Sequence, residues 1–336
     1  MIKTAISHPN KALVIYWGNR NDALRIPTRS SLSVTLQGIN RPLDYIVSLR
    51  TLGSFSSERD KVIIDGIENK GEIYSHFVSH LNTMREYTGF KDKIEASTRK
   101  SFPVGSGLAG SSASASALAE AFAGLIGKSD DTRLKSIMAR RGSGSASRSV
   151  FGGFVVWQKG NINDDSSSFA KQLFNENHWD LRNIIAIVSS DPKKIRSIDG
   201  MKLSTKTCPQ PIYSNFVSVA NTHIEQISAA LLAREISKIG PIYEEENYLF
   251  RQVCINTMPS LDYWAKATHD ILDKISTLRK EGIAAYAGTD AGPNVHVFTM
   301  PKYVERVIKS VQEVEGIEDI IHCRVGEGSH LIEGQE

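Results

Sequence analysis

Apolar and β-branched runs over the first hundred residues predict short strands at Ala12–Trp17, Leu32–Leu36, Tyr45–Leu49 and Val62–Ile64. Turn residues such as Asp65-Gly66 separate them. Ile73, Phe77, Leu81 and Met84 then recur at helical spacing, which predicts a helix from Gly71 to about Tyr87. A strand is predicted at Lys93–Thr98. The stretch Ala113–Ile126 is apolar nearly all round and stops at Gly127, the pattern of a central buried helix. Strands follow at Val150–Trp157 and Ile184–Val188, then helices at Val217–Leu232, Ile236–Phe250 and Leu261–Lys280. The ending reads as strands Ile283–Ala287 and Val295–Thr299, a helix over Tyr303–Val314 and a strand at Ile320–Val325. Strands early, helices later and strands again at the end predict an α+β fold in two lobes. The change falls near residues 190–210, which divides the chain into 1–190 and 191–336.

Composition narrows the functional classes. Apolar residues make up 40% of the 336 positions, enough for a large core. Forty basic and 37 acidic residues leave a net charge of +3, too balanced for a chain that coats nucleic acid or an anionic membrane. No apolar run reaches the length of a membrane span, and the first residues lack the pattern of a signal peptide. A cytoplasmic protein is the expectation. Cys208, Cys254 and Cys323 fit no metal spacing. Three reduced, buried thiols are expected, with a Cys208–Cys254 pair left open.

Four segments carry candidate chemistry. Pro103 to Ala113 is rich in Gly, Ala and Ser and feeds the apolar helix, where free N–H groups and the helix dipole suit an anion. It matches neither the Walker nor the dinucleotide pattern, and a tightly packed helix start explains the same composition. Arg140 to Ser149 interleaves glycines, hydroxyls and Arg148, a side chain suited to forked capture of carboxylate or phosphate. The turn Gly288-Thr289-Asp290-Ala291-Gly292-Pro293-Asn294 joins two apolar strands, where an Asp is also an ordinary turn residue. Asp191 to Ser197 sets Lys193, Lys194 and Arg196 after a strand, as a phosphate grip or a solvated face.

In order along the chain, Tyr16-Trp17-Gly18, Pro27 to Leu36, Pro103 to Ala113, Gly142 to Gly153 and Asp290 to Asn294 resemble the mevalonate diphosphate decarboxylases of the GHMP kinase superfamily. The resemblance implies an N-terminal lobe like ribosomal protein S5 domain 2, carrying a phosphate-binding loop, and a ferredoxin-like C-terminal GHMP lobe. It implies a decarboxylase of phosphorylated mevalonate in isoprenoid biosynthesis, with homodimers common. The matching residues would be Asp290 at C3 and Arg148 on the carboxylate as the catalytic pair. Ser111 and Ser112 would lie near the transferred phosphate, Ser143 and Ser145 on the substrate, and Tyr16 and Trp17 along its pocket. Lys193, Lys194, Arg196 and Ser197 are further candidates for holding a small anionic, phosphorylated substrate.

One departure stands out. Family members usually read Lys-Tyr-Trp-Gly-Lys, whereas this chain has Ile15-Tyr16-Trp17-Gly18-Asn19. The first missing lysine belongs to the family's Asp–Lys–Arg group and the second contacts phosphates. Losing both cations weighs against phosphoryl transfer from a triphosphate. This favours the resemblance to archaeal mevalonate 3,5-bisphosphate decarboxylases, which need no ATP, no other cofactor and no metal. The alternative is the decarboxylase that uses ATP and Mg2+ on the diphosphate or monophosphate. Mevalonate 3-kinases lack the aspartate found here as Asp290. A binding protein that has kept the fold and lost catalysis is the remaining class.

Overall fold

The computed structural model describes residues 1–52, 59–101, 110–161 and 165–333. Its first part contains strands β1 (Ile2–Ser7), β2 (Asn10–Val14), β3 (Asn19–Asn21), β4 (Ile26–Pro27), β5 (Ser31–Gly38), β6 (Tyr45–Leu52), β7 (Lys61–Ile64) and β8 (Ile67–Glu68). Helix α1 (Glu72–Thr88), strand β9 (Lys93–Lys100) and helices α2 (Gly110–Leu125), α3 (Thr132–Gly142) and α4 (Ala146–Ser149) follow. Strands β10 (Phe154–Trp157), β11 (Ala170–Phe174) and β12 (Arg182–Ile187) lead to helices α5 (Ser197–Thr207), α6 (Gln210–Ser218), α7 (Ala220–Ala233), α8 (Ile236–Ile255) and α9 (Lys266–Lys280). Strands β13 (Ala285–Thr289) and β14 (Val295–Thr299), helix α10 (Val304–Gln312) and strands β15 (Asp319–Val325) and β16 (His330–Ile332) close the chain.

Among the described residues these strands form two large sheets. One runs β16-β1-β6-β9-β7-β8. The other runs β11-β10-β5-β15-β12-β14-β13, with β2 also paired to β5. The second sheet is continuous across residue 190, because β15 from the end of the chain pairs with β5 from its start. Helix α2 packs against β1 and β6, and nearly every side chain on it is buried, as its all-round apolar pattern predicts. Ser7 and Ser116 meet across that contact at 2.5 Å. The buried Glu120 is neutralised by Lys135 at 2.9 Å and accepts from Ser329.

Several boundaries differ from the sequence pattern for identifiable reasons. The strand expected over Ala12–Trp17 begins at Asn10 and ends at Val14. Beyond it the Ile15 N–H donates to the Glu246 carboxylate at 3.0 Å instead of to a strand. Gly18 then takes φ +109°, and an added Cβ would sit 2.1 Å from the Tyr213 hydroxyl, so only glycine fits. The strand expected over Val150–Trp157 is confined to Phe154–Trp157, because Arg148 already lies in α4 and Gly153 turns with φ +72°. The helix expected over Val217–Leu232 is two helices meeting at Val219. Strands β1, β11 and β16 and helices α3 and α5 are not evident in the pattern. All three cysteines are buried and free, so Cys208 and Cys254 are unbonded.

Candidate active site

A cavity of about 750 Å³ opens between the Asp290 turn, the Gly142–Arg148 segment and helix α1. Asp290, Arg148, Tyr16, Trp17, Ser111, Ser143, Ser145, Lys193, Arg196 and Ser197 all line it, so ten sequence candidates from five separate segments converge. Two do not belong to that lining. Ser112 follows Ser111 by one residue on α2, and the helical rotation turns it into the packed interior. Lys194 is exposed, outside the cavity that its neighbour Lys193 lines. Pro103 to Ala109 of the small-residue segment lie outside the described residues. Helix α2 begins directly after them at Gly110, with Ser111 at the cavity wall and 3.4 Å from the Ser143 hydroxyl.

Each lining group is held from behind. Arg148 is buried and donates from Nε to Ser33 at 2.9 Å, from one Nη to Ser31 at 2.5 Å and from the other to Asn10 at 3.1 Å. A guanidinium has five N–H groups, so two remain for a ligand, in the fork that suits a carboxylate. Burial lowers its pKa to about 10, which leaves it protonated near neutrality. The Trp17 indole N–H donates to Ser204 at 3.0 Å, and its ring meets Phe250 edge-on. The Tyr16 hydroxyl donates to Asn19 at 2.6 Å, and the Asn19 amide donates to Asp22 at 3.1 Å. Asn19 is therefore engaged on both sides of its amide.

Sequence reasoning missed the partner of Asp290. Lys11, fully buried on β2, donates to Asp290 Oδ1 at 2.7 Å and to the Thr289 carbonyl at 2.8 Å. Burial lowers the Lys11 pKa, and Asp290 opposes that shift. Burial likewise works against the Asp290 anion, but Lys11 and the surrounding cations outweigh it and hold the carboxyl below its usual value. The lysine thought absent because of Ile15 thus has a counterpart four residues earlier, behind the aspartate. Its signal was a lysine directly before the apolar run Ala12 to Ile15, lost because the predicted strand started at Ala12. His296 stands on the other side. Its Nε2 is 3.9 Å from Asp290 Oδ2, and its Nδ1 meets Asn183 at 3.0 Å. Burial and then Lys11 lower its pKa to about 3, so it is neutral.

Beyond Ser111 the cavity continues along α1, past Ile73, His76, Phe77, His80 and Thr83. Among the described residues no three His, Cys, Asp or Glu side chains converge as a metal cage, and no helix is long and apolar enough to cross a membrane.

Solved structures give the same architecture from end to end. The chain matches mevalonate diphosphate decarboxylase from Staphylococcus aureus with a TM-score of 0.90, 27% identity and 99% of each chain covered. MDDEF, solved in complex with MVAPP, AMPPCP and magnesium, matches with a TM-score of 0.89 and 28% identity, again over 99% of each chain. The fold is the two-domain GHMP kinase fold. Sequence comparison goes further. Residues 7–170 match the diphosphomevalonate decarboxylase-like N-terminal domain, and residues 183–331 match the mevalonate 5-diphosphate decarboxylase C-terminal domain. Diphosphomevalonate decarboxylases of Ganoderma lucidum and Homo sapiens are each 30% identical over 92% of this chain, covering 80% and 79% of their own lengths. The chain belongs to the diphosphomevalonate decarboxylase family, and so it is a carboxy-lyase of the mevalonate pathway.

Proposed function

We propose that the protein decarboxylates mevalonate 5-diphosphate with consumption of ATP. The observation that carries this is the continuity of the cavity. It runs from the acid-handling pair Asp290 and Arg148, past the start of α2, to the wall formed by α1. That leaves room for a second ligand end to end with the first. The start of α2 suits a phosphate by its free N–H groups and dipole, and the apolar and aromatic wall of α1 suits a base. The relative solved with an ATP analogue and magnesium supports the same assignment. A magnesium ion would ride on the phosphates, since Mg2+ usually takes few protein ligands in such sites. This reading replaces the expectation of a cofactor-free reaction.

ATP would supply the phosphoryl group that turns the C3 hydroxyl into a leaving group. The chain's own residues do the rest. Asp290, kept as an anion by Lys11, lines the cavity, where it takes the hydroxyl proton or stabilises positive charge growing at C3. The two remaining N–H groups of Arg148 hold the carboxylate so that the C1–C2 bond pair flows into a C2–C3 double bond as carbon dioxide and phosphate leave. Ser111 and the first turn of α2 meet the departing phosphate.

A second reading keeps one observation on its side. Ile15 lines the cavity as an apolar residue and Asn19 is tied to Tyr16 and Asp22, so of the two family lysines only the first has a counterpart here, Lys11 behind Asp290. That favours a substrate already phosphorylated at O3, namely mevalonate 3,5-bisphosphate, decarboxylated without ATP. Incubation with the diphosphate, the monophosphate and the 3,5-bisphosphate, each with and without ATP and magnesium, separates the two. The proposal expects carbon dioxide only with ATP and one ADP per carbon dioxide. Carbon dioxide and phosphate from the bisphosphate without nucleotide would replace it with the second reading.

A further inference from the structure

Among the described residues five cationic side chains line the cavity, Arg25, Arg141, Arg148, Lys193 and Arg196, and they differ in what already neutralises them. Arg141 is paired with Asp165 at 2.8 Å, and Arg196 with Glu72 and Asp199 at 3.0 Å each. Arg148 is spread over Ser31, Ser33 and Asn10. Lys193 donates to Ser197 at 3.2 Å. Arg25 is different. Its Nε donates to the Arg141 carbonyl at 2.9 Å, while among the described residues neither Nη has a hydrogen-bond partner and no carboxylate pairs with it. Its backbone adopts φ +50°, in the left-handed region that a residue with a side chain rarely occupies. Such backbone is retained where surrounding structure fixes it, and it clusters at ligand-contacting positions. Here the turn between β3 and β4 fixes it, through Arg25 N–H to Asp22 at 3.3 Å and Leu24 N–H to the Asn21 side chain at 3.0 Å.

The surroundings give this guanidinium a defined place. The Nε bond straps the β3–β4 turn to the end of α3, where the chain runs through Gly142, Ser143 and Gly144 along the cavity. A Cβ on Gly142 would strike the His80 ring, and one on Gly144 would come within 2.7 Å of the Tyr16 hydroxyl. The segment is thus wedged between His80 and Tyr16, with Arg25 beside it and hydroxyls at Ser143 and Ser145 opening on the same cavity.

We infer that Arg25 is an anion-binding residue whose free Nη fork takes the non-bridging oxygens of a phosphate or diphosphate ester, together with the Ser143 and Ser145 hydroxyls. This rests on the proposed function for the identity of the ester, which is either the phosphorylated acid or the nucleotide, but not for the existence of the site.

The experiment uses Arg25→Asn and Arg25→Lys in the full chain. Asn tolerates left-handed backbone, so the turn survives while the cation goes. Lys keeps the charge and loses the strap to Arg141. Binding of inorganic pyrophosphate is measured by calorimetry, and KM is measured separately for the phosphorylated acid and for ATP. Loss of one charge-assisted contact predicts pyrophosphate binding about 10- to 100-fold weaker in Arg25→Asn. The KM for one of the two esters should rise by a similar factor and that for the other should stay within about twofold, which names the source. Arg25→Lys should recover part of the loss. Unchanged pyrophosphate binding and unchanged KM values in Arg25→Asn would overturn the inference. So would equal losses in both variants, which would make Arg25 a strap only. A wild-type chain that binds pyrophosphate through Arg25 but releases no carbon dioxide from any acid would overturn the proposed function and leave this site standing.

Discussion

Two buried charge clusters flank the same segment of chain, and they are built to opposite specifications. In the first, Glu246 on α8 and Arg29 after β4 are both completely buried and paired at 2.7 Å. Glu246 also accepts from the second Arg29 Nη at 3.1 Å, from His223 at 2.6 Å and from the Ile15 N–H at 3.0 Å. The Arg29 plane stacks on Phe216 at 3.9 Å. Both oxygens of that carboxylate are used twice, and Arg29 Nε is left without a partner. In the second, Lys11 is equally buried, but its partner Asp290 is 27% exposed and lines the cavity, and His296 Nε2 has no hydrogen-bond partner. Arg148 beside it holds two N–H groups in reserve. The saturated cluster locks the Ile15–Gly18 segment against the second lobe. The unsaturated cluster is where a ligand finishes the bonding. Each cluster leaves one buried nitrogen without a hydrogen-bond partner, Arg29 Nε in the first and His296 Nε2 in the second, so what marks the functional one is a part-exposed carboxylate on the cavity wall beside an arginine with N–H groups in reserve.

That contrast can be broken from either side. Glu246→Gln should give the largest effect on stability, about 3–5 kcal/mol by chemical denaturation, because it leaves Arg29 buried without its counter-charge. The same variant should flatten the acid side of the stability profile. Contacts from His223, Arg29 and the Ile15 N–H outweigh burial and hold the Glu246 carboxyl below its ordinary value. Its contribution is therefore fully present above the unfolded pKa of about 4.3 and lost as pH falls through the depressed folded value. Asp290→Asn should strike turnover first, about 100- to 1,000-fold lower, with a smaller loss of stability than Glu246→Gln, because the buried Lys11 left without its counter-charge can shed its proton where Arg29 cannot. A marked loss of stability with turnover retained would reverse the roles assigned to the two clusters. Arg148→Lys should cost less, roughly tenfold or somewhat more in kcat/KM, since a single ammonium cannot reproduce the forked contact. Steady-state kinetics on the phosphorylated acid measures it, and unchanged values would move carboxylate capture to Lys193 or Arg196.

Much of this site was legible in one sequence because glycines, serines and an aspartate at turns report local backbone demands that survive without tertiary context. Ser111, Ser143, Arg148 and Asp290 lie in such segments and line the cavity, whereas Tyr16 and Trp17 were named through the family resemblance alone. Charges inside regular elements were harder to read. Lys11 is silent unless a lysine within an apolar strand is treated as a flag. Glu246 sits in the run Glu244-Glu245-Glu246, where only helical phase distinguishes it. Ile239, Tyr243, Glu246, Phe250 and Val253 share the buried face of α8, so the signal existed and required the correct face. Arg25 gave no signal, because its role depends on a turn whose backbone pattern alone does not reveal the cavity behind it. The fold class followed from element order, whereas the pairing of β15 with β5 joins residues too distant for any local pattern to report.

The central claim is that Lys11, out of reach of any ligand, keeps Asp290 ionised for its work at C3. The most direct test is the acid limb of kcat/KM in Lys11→Met, with Lys11→Arg as the charge-retaining control. With the ammonium gone, burial acts on Asp290 with its main opponent removed, so its pKa should rise and the acid limb should move up by about one pH unit or more. Turnover at neutral pH should fall, and arginine should restore part of both. An acid limb that stays in place in Lys11→Met, with turnover within about twofold of the parent chain, would contradict the account.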